Sequence, residues 1–171
     1  GVVRDRSGNG YHAEIRGSPV TSSDSKIGES MEFTSADGDY LPIRNNFYET
    51  QEVLPELTVS AWVKTTGDQQ YVIQYDRSEF FRCTTDIWVT HADGGGISDM
   101  NFSGAQDGSW HHIVFWYDND SSGTNKRAYV DTEITGEQSN PHSGVALGST
   151  LTTYGAIAAF GESRSFDGDD E

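Results

Sequence analysis

The feature that most constrains the fold is the spacing of short apolar or alternating segments between clusters of Gly, Asn, Asp and Ser. The segments at 57–65 and 111–118 stand between such clusters, which occur at 35–39, 93–96 and 119–125. Side chains alternate between the two faces of a β-strand, so short runs bounded by turn-forming residues indicate strands rather than helices. The pattern predicts an all-β fold of two stacked antiparallel sheets.

The predicted strands are all bounded by turn-forming residues and differ mainly in length. They cover residues 11–16, 30–34, 40–44, 57–65, 70–75, 79–83, 86–91, 97–102, 111–118, 126–132 and 156–161. The mixed stretch 46–56 is compatible with one short helical turn, and the polar, Gly-rich stretch 135–153 predicts a long loop with a brief strand. The strand at 111–118 is apolar on both faces, with Ile113 and Phe115 on one and Val114 and Trp116 on the other. We therefore expect it to be central and covered on both sides.

The bulk properties limit the number of domains and the kinds of partner. The 171 residues are enough for a substantial core, and we expect one domain over residues 1–171, excised from a larger protein. The net charge of −16 argues against nucleic acid and anionic membranes, because binding to either requires clustered Lys and Arg. Divalent cations would relieve the resulting self-repulsion, although solubility or a salty habitat explains the charge equally well.

Cys83 is the one cysteine, so no intrachain disulfide forms.

Five motifs stand in order along the chain. They are Asp5-Arg6-Ser7-Gly8-Asn9-Gly10, Leu57-Thr58-Val59-Ser60-Ala61-Trp62-Val63-Lys64, Trp110-His111-His112-Ile113-Val114, Ala128-Tyr129-Val130-Asp131 and Phe166-Asp167-Gly168-Asp169-Asp170. Their order and spacing resemble the laminin G-like jelly roll of the concanavalin A-like lectin/glucanase superfamily. The resemblance implies a tight turn at the first motif, a core strand at the second, and two paired strands at the third and fourth. It also implies a binding function, because most such domains are calcium-containing binding modules and few are enzymes.

The chain departs from the family pattern at its two ends. The resemblance implies one strand before the first motif and another after the last, paired with each other. Only residues 1–4 precede the first motif, and nothing follows Glu171. We therefore expect a jelly roll that lacks the terminal strand pair, or whose sheet edge is completed in another way.

The resemblance places the first and last motifs side by side, which implies a calcium site between them. Ca²⁺ takes about six to eight oxygen ligands, best held on turns. The implied ligands are Asp5, Asn9, Asp167, Asp169 and Asp170. The alternative is that Asp5 and Asn9 cap their own turn and that the acidic tail is solvated. The acidic segments 35–39 and 118–123 also have carboxylates on Gly turns, but plain hairpin turns explain them better.

A sugar site needs flat aromatic faces beside side chains that bind hydroxyl groups. The candidates lie near strand ends and the glycine loop at 94–96, and they are Tyr75, Asp76, Arg77, Trp88, His91 and Asp93. Trp88 and His91 have opposite parity, so a regular strand does not present both on one face. We expect Trp62, Trp110 and Trp116 to lie in the core instead.

Catalytic patterns are weak, and we expect no enzymatic activity. The adjacent His111 and His112 point to opposite faces of a strand, and no nucleophile elbow or metalloprotease motif occurs. Glucanases of the resembling superfamily flank the glycosidic bond with carboxylates at alternate strand positions. The nearest match is Asp131-Thr132-Glu133. It lacks a third carboxylate, and the resemblance places Asp131 in a turn.

The sequence thus predicts a noncatalytic, calcium-containing, lectin-like module of a secreted or cell-surface adhesin. We expect an extracellular glycan as its partner, neighbouring domains in the parent protein, and a monomer when the domain is isolated. Two alternatives stay open, namely a protein-interaction or spacer domain of an extracellular protein, and an accessory module of a glycoside hydrolase.

Overall fold

A computed structural model describes residues 1–43, 56–66, 70–76, 79–83, 88–90, 103–118, 121–139 and 155–158. Over these residues the chain forms thirteen β-strands and one 3-10 turn at Ser35–Asp37, without an α-helix. No helix in this part of the chain is long and apolar enough to span a membrane. The prediction of an all-β fold is confirmed.

The strands are short near the amino-terminal end and longest in the middle of the chain. In chain order they are β1 (Val2–Val3), β2 (Ala13–Glu14), β3 (Val20–Ser22), β4 (Ser30–Glu32), β5 (Leu41–Ile43), β6 (Glu56–Lys64), β7 (Gln70–Asp76), β8 (Glu79–Cys83), β9 (Trp88–Thr90), β10 (Trp110–Asp118), β11 (Lys126–Val130), β12 (Glu133–Gln138) and β13 (Gly155–Ile157). The larger sheet has the order β1-β2-β5-β13-β7-β8-β9, and the smaller has the order β12-β11-β10-β6. Strands β3 and β4 form a separate antiparallel ribbon.

The four-stranded sheet arises from strict alternation in its two longest strands. In β6 the odd-numbered residues Leu57, Val59, Ala61 and Val63 are half-buried, and the residues between them are exposed. Strand β10 pairs with β6 along its whole length, from Trp110 opposite Lys64 to Asp118 opposite Glu56. Its inner face joins a core of Ala105, Ile113, Phe115, Ala128 and Val130, against which Val72 and Ile73 of β7 pack. The two sheets therefore stack as a sandwich.

A second apolar cluster lies beneath the larger sheet, beside a buried carboxylate. Ala13, Leu41 and Ile43 form the buried centre of this cluster. Next to β5, Asp39 is 3% exposed and accepts hydrogen bonds from the Ser18 amide (2.6 Å) and the Thr34 amide (2.8 Å). A Cβ atom at Gly17, whose φ is +74°, would overlap the Asp39 carboxylate. The acidic segment 35–39 therefore includes a structural cap. It is a 3-10 turn between β4 and β5, which lie in different sheets, so the expectation of a plain hairpin there is wrong.

Three strands were missing from the sequence prediction, namely β1, β3 and β12. Strand β12 is polar and largely exposed, so its sequence reads as a loop. It forms because Asp131 and Thr132, with φ of 50° and 79°, make a two-residue turn that returns the chain alongside β11. The predicted strand 97–102 and the stretch 46–55 lie outside the described residues.

The prediction for the strand at 111–118 is half right. β10 does lie between β11 and β6. Its second face is not covered, because His112, Val114 and Trp116 are only half-buried. The reason is that the larger sheet packs against the inner face alone, so an apolar composition on both faces does not guarantee two packing partners.

Candidate functional site

Asp5 organises the turn at 5–10 through its own carboxylate. One oxygen accepts a hydrogen bond from the Ser7 amide (2.7 Å), and the other accepts from the Ser7 hydroxyl (2.7 Å) and the Tyr11 amide (3.0 Å). These hydrogen bonds, above all the one from the Ser7 amide, lower the pKa of Asp5. The geometry matches the turn-capping alternative of the sequence analysis.

This geometry limits what the turn can offer a cation. A carboxylate has about four lone-pair positions. The three hydrogen bonds at Asp5 therefore leave little capacity for its oxygens to coordinate a metal ion. Asn9 is exposed, and its backbone N–H donates a hydrogen bond to the Ser7 hydroxyl (3.2 Å). The other implied ligands, Asp167, Asp169 and Asp170, lie outside the described residues. Within those residues no group of three or more His, Cys, Asp or Glu is arranged to hold a metal.

The acidic segment 118–123 connects two paired strands. Asp118 ends β10, and its amide donates to the Asn125 carbonyl (3.0 Å). The Ser121 hydroxyl donates to the Thr124 carbonyl (2.8 Å). Asn119 and Asp120 lie outside the described residues. The described part of the segment is a hairpin connection, as the interpretation favoured from the sequence predicts.

Three of the six sugar-binding candidates from the sequence lie on two strands of the larger sheet, and the other three lie outside the described residues. Tyr75 and Asp76 lie at the end of β7, and Trp88 begins β9, with β8 paired between these strands. Arg77, His91 and Asp93 lie outside the described residues, so these six candidates stay a prediction.

A different aromatic group lies on the outer face of the four-stranded sheet. The Trp62 side chain is 41% exposed, and the His112 ring lies beside it with centroids 5.2 Å apart. The His112 Nε2 atom is 2.8 Å from the Ser60 hydroxyl, and the Lys26 ammonium lies 5.5 Å from the centre of the Trp62 ring. We call Lys26, Ser60, Trp62 and His112 the Trp62 cluster. The expectation that Trp62 lies in the core is wrong, because Trp62 shares the parity of the exposed residues of β6.

The same face carries a second aromatic group one strand further into the sheet. Trp116 of β10 is half-buried, and the Arg127 guanidinium lies 5.4 Å from the centre of its ring. Arg127 also donates to Glu137 of β12 (2.7 Å). Trp116 faces Thr58 across the ladder, four residues from Trp62 along β6. At about 3.4 Å per residue the two indoles are roughly 14 Å apart along the strands, and Trp116 is likewise outside the core cluster.

A cavity of about 820 Å³ opens beside the Trp62 cluster, along β6 and the β3–β4 ribbon. Its lining includes Asp24, which binds Lys64 (2.5 Å) and accepts a hydrogen bond from the Trp110 indole (2.8 Å). Lys64 and Trp110 together lower the pKa of Asp24. Trp110 is thus half-buried and bound to a carboxylate, outside the core in which the sequence analysis placed it. The cavity follows the β6 edge of the four-stranded sheet, and its lining includes the inward-facing Ala61, Val63 and Val72 as well as Lys26 and Trp62.

His111 lies on the other side of β10, between two carboxylates. Its Nδ1 atom is 2.7 Å from Asp131, its Nε2 atom is 3.0 Å from Asp107, and its side chain is 13% exposed. Hydrogen bonds to Asp107 and Asp131 raise the pKa of His111, and the bond to His111 contributes most to lowering the pKa of Asp107 to about 2. Asp131 also accepts a hydrogen bond from the His112 amide (2.9 Å). The Asp131 carboxylate of the Asp131-Thr132-Glu133 segment thus binds His111 and the His112 amide from a turn.

The sequence contained one signal for the Trp62 cluster that the prediction did not use. In β6 the residues that alternate with the apolar ones are Glu56, Thr58, Ser60, Trp62 and Lys64. A tryptophan on the polar parity of a strand is a candidate for exposure. No sequence pattern indicated that Lys26 contacts Trp62, because Lys26 lies in the connection between β3 and β4, far from β6 in the chain.

Comparison with protein families supplies one match. A family model of laminin G type, described as the concanavalin A-like lectin/glucanases superfamily, matches residues 35–169. The matched region includes the whole four-stranded sheet, while the turn at 5–10 and Lys26 lie before it. Comparisons with curated proteins and with solved structures gave no match.

Proposed function

Because the chain belongs to the concanavalin A-like lectin/glucanase superfamily, we propose that it is a noncatalytic module that binds an extracellular glycan through the Trp62 cluster. The observation that carries this proposal is the exposed Trp62 ring on a sheet face, surrounded by hydrogen-bonding groups. The membership supplies the architecture, and the cluster supplies the chemistry of recognition.

The cluster offers the two kinds of contact that a sugar ring requires. The apolar face of an indole packs against the C–H groups of a pyranose, and nearby donors and acceptors bind its hydroxyls. Lys26, Ser60 and His112 carry such groups within the cluster. A sugar would displace Lys26 from the Trp62 ring, at a cost of about 0.5–1 kcal/mol for an exposed cation–π contact.

The proposed noncatalytic role is supported by the state of Asp131. Its carboxylate holds the His111 ring and the His112 amide, and it lies in a two-residue turn. A carboxylate in that position serves the fold and lacks the strand-face geometry of a paired glycosidase acid and nucleophile. A secreted or cell-surface adhesin is the proposed context, in which a binding module acts beside neighbouring domains.

The test is a glycan array, followed by isothermal titration calorimetry with the strongest binder. Trp62→Ala should weaken binding at least about tenfold, which corresponds to roughly 1.4 kcal/mol of lost contact energy. Ile134→Ala is the matched control, because Ile134 is 51% exposed on β12 of the same sheet. Equal losses in both variants, or no glycan bound by the parent, would overturn the proposal. The second result would favour a protein-interaction or spacer domain.

We propose further that Asp5, Asn9, Asp167, Asp169 and Asp170 bind Ca²⁺. The net charge of −16 supports a cation, and the three donors on Asp5 argue for a minor role of that side chain. At about 100 times its dissociation constant, Ca²⁺ would add roughly 2.7 kcal/mol to the free energy of unfolding. Thermal unfolding in Ca²⁺ and in EDTA, with Asp169→Ala beside the parent, measures this. Equal melting temperatures in Ca²⁺ and EDTA would exclude the site.

A further inference from the structure

The contacts of His111 join three parts of the sandwich at one end of the four-stranded sheet. His111 is the second residue of β10, Asp107 precedes that strand, and Asp131 stands in the turn between β11 and β12. Both ring nitrogens of His111 are within hydrogen-bond distance of a carboxylate oxygen, at 2.7 Å and 3.0 Å. Each end of one imidazole therefore contacts a different segment.

This arrangement is satisfied by only one protonation state of the ring. A neutral imidazole has one N–H donor and one nitrogen lone pair, whereas an imidazolium has two donors. Ionised Asp107 and Asp131 only accept hydrogen bonds. Loss of the His111 proton therefore turns one hydrogen bond into a repulsion between lone pairs, and the two carboxylates then lack the positive charge between them.

The carboxylates also hold the backbone on both sides of His111. The second oxygen of Asp131 accepts the His112 amide (2.9 Å), and Asp107 accepts the Ser109 amide (2.8 Å). Next to Asp107, the Gly108 amide donates to the Thr65 carbonyl just beyond β6 (3.0 Å). The same contacts thus fix the start of β10, which carries His112 on its outer face beside Trp62.

We infer that Asp107, His111 and Asp131 form a proton-dependent latch that positions His112 and Trp62 on the outer face of the sheet. The charged groups that act on the ring are Asp107 from the preceding segment and Asp131 from the turn, while β6 presents Val63 opposite His111. As regulation of glycan binding, the inference rests on the proposed function. The latch itself is a property of the unliganded domain.

The sign of the pH dependence follows from the raised pKa of His111. The stabilising contribution of the latch is fully present below pH 6.5, the ordinary value for histidine. It is lost as the pH rises through the higher pKa of the folded state. Each pH unit between these two values corresponds to about a tenfold change in the folding equilibrium constant.

The first experiment titrates the unliganded domain by NMR. The ring resonances of His111 should titrate with a midpoint above 6.5. The indole N–H resonance of Trp62 should shift with the same midpoint, and the protection of the His112 amide relative to its intrinsic exchange rate should fall over that range. A His111 midpoint at or below 6.5, or a Trp62 resonance that does not follow it, would overturn the inference.

The second experiment measures urea unfolding between pH 5.5 and pH 9 with matched variants. The fall in stability of the parent should be largely absent in His111→Gln and reduced in Asp107→Asn. His12→Gln is the control, because His12 is exposed and accepts the Asp5 amide in a different part of the fold. An unchanged pH dependence of stability in His111→Gln contradicts the latch. If His111→Gln does not fold, the Asp107→Asn variant and the NMR titration of the parent provide the test. If the domain bound no glycan at any pH, the proposed function would be wrong, but the NMR and urea measurements on the unliganded domain would still test the latch.

Discussion

The two faces of β10 have similar composition and opposite surroundings. On the inner face Ile113 is 0% exposed and Phe115 and Tyr117 are 1% exposed, and Ile113 and Phe115 belong to the core cluster. On the outer face His112, Val114 and Trp116 are half-buried, and Trp62 on the neighbouring strand is 41% exposed. The comparison teaches that alternation separates two sets of side chains without deciding which set is covered.

The adjacent histidines show the same contrast at the level of single residues. His111 lies between two carboxylates, whereas His112 contacts a hydroxyl and an indole. Their opposite orientation was predicted from the parity of a strand and is confirmed. The difference in chemistry comes from the segments that pack on each side, which bring Asp107 and Asp131 to one ring and Trp62 to the other.

The largest expected effect is a loss of stability on the inner face. Phe115→Ala should lower the free energy of unfolding by about 3–5 kcal/mol, because it removes a buried ring and leaves a cavity. Trp62→Ala on the outer face should cost less than about 1.5 kcal/mol, since much of that ring already contacts water. Urea unfolding of both variants measures the difference. Similar losses would mean that the outer face is also covered in solution.

A same-residue pair sharpens the comparison with a smaller effect. Val130 on β11 is 7% exposed and belongs to the core, while Val114 on β10 is half-buried on the outer face. Val130→Ala should lower the free energy of unfolding by about 2 kcal/mol, and Val114→Ala by less than about 1 kcal/mol. Chemical denaturation compares the two variants, and a larger loss for Val114→Ala would reverse the assignment of the faces.

Acid should weaken the inner side of β10 through its carboxylates. The pKa of Asp107 is lowered from 3.8 to about 2, and that of Asp131 is also lowered. Their stabilising contribution is fully present above pH 3.8 and is lost as the pH falls through the folded-state values. Asp107 is 63% exposed, so solvent screening keeps its effect modest. Urea unfolding between pH 5 and pH 2 should show a shallower decline for Asp107→Asn, and an equally steep decline would contradict this role.

The smallest expected effect lies within the Trp62 cluster. Lys26→Met removes the cation above the Trp62 ring and keeps an apolar side chain of similar length. The free energy of unfolding should fall by no more than about 0.5–1 kcal/mol, and the Trp62 fluorescence should change. Arg127→Met is the matched variant at Trp116 on the same face. If Lys26→Met lowered the free energy of unfolding by several kcal/mol, Lys26 would be a structural residue and not only a surface contact of Trp62.

Much of the sandwich was predictable because its signals are local. The alternation of β6 and the turn residues on either side of β10 identified the longest strands with nearly correct bounds. Strand β12 was missed because it is an exposed edge strand in the described sheet, so it has no apolar face to mark it. Its pairing depends on the turn at Asp131 and Thr132, where positive φ angles were not apparent from the residue types.

The sequence by itself determined the all-β class, the positions of the turn-forming residues between the longest strands, the opposite orientation of His111 and His112, and the net charge of −16. These follow from backbone periodicity and from residue types within a few positions of each other. Only the tertiary structure decided that Trp62 is exposed, that Lys26 lies above it, and that Asp107 and Asp131 hold His111. Those contacts join residues distant in the chain, and the stacking of the two sheets selects them by covering one face of β10.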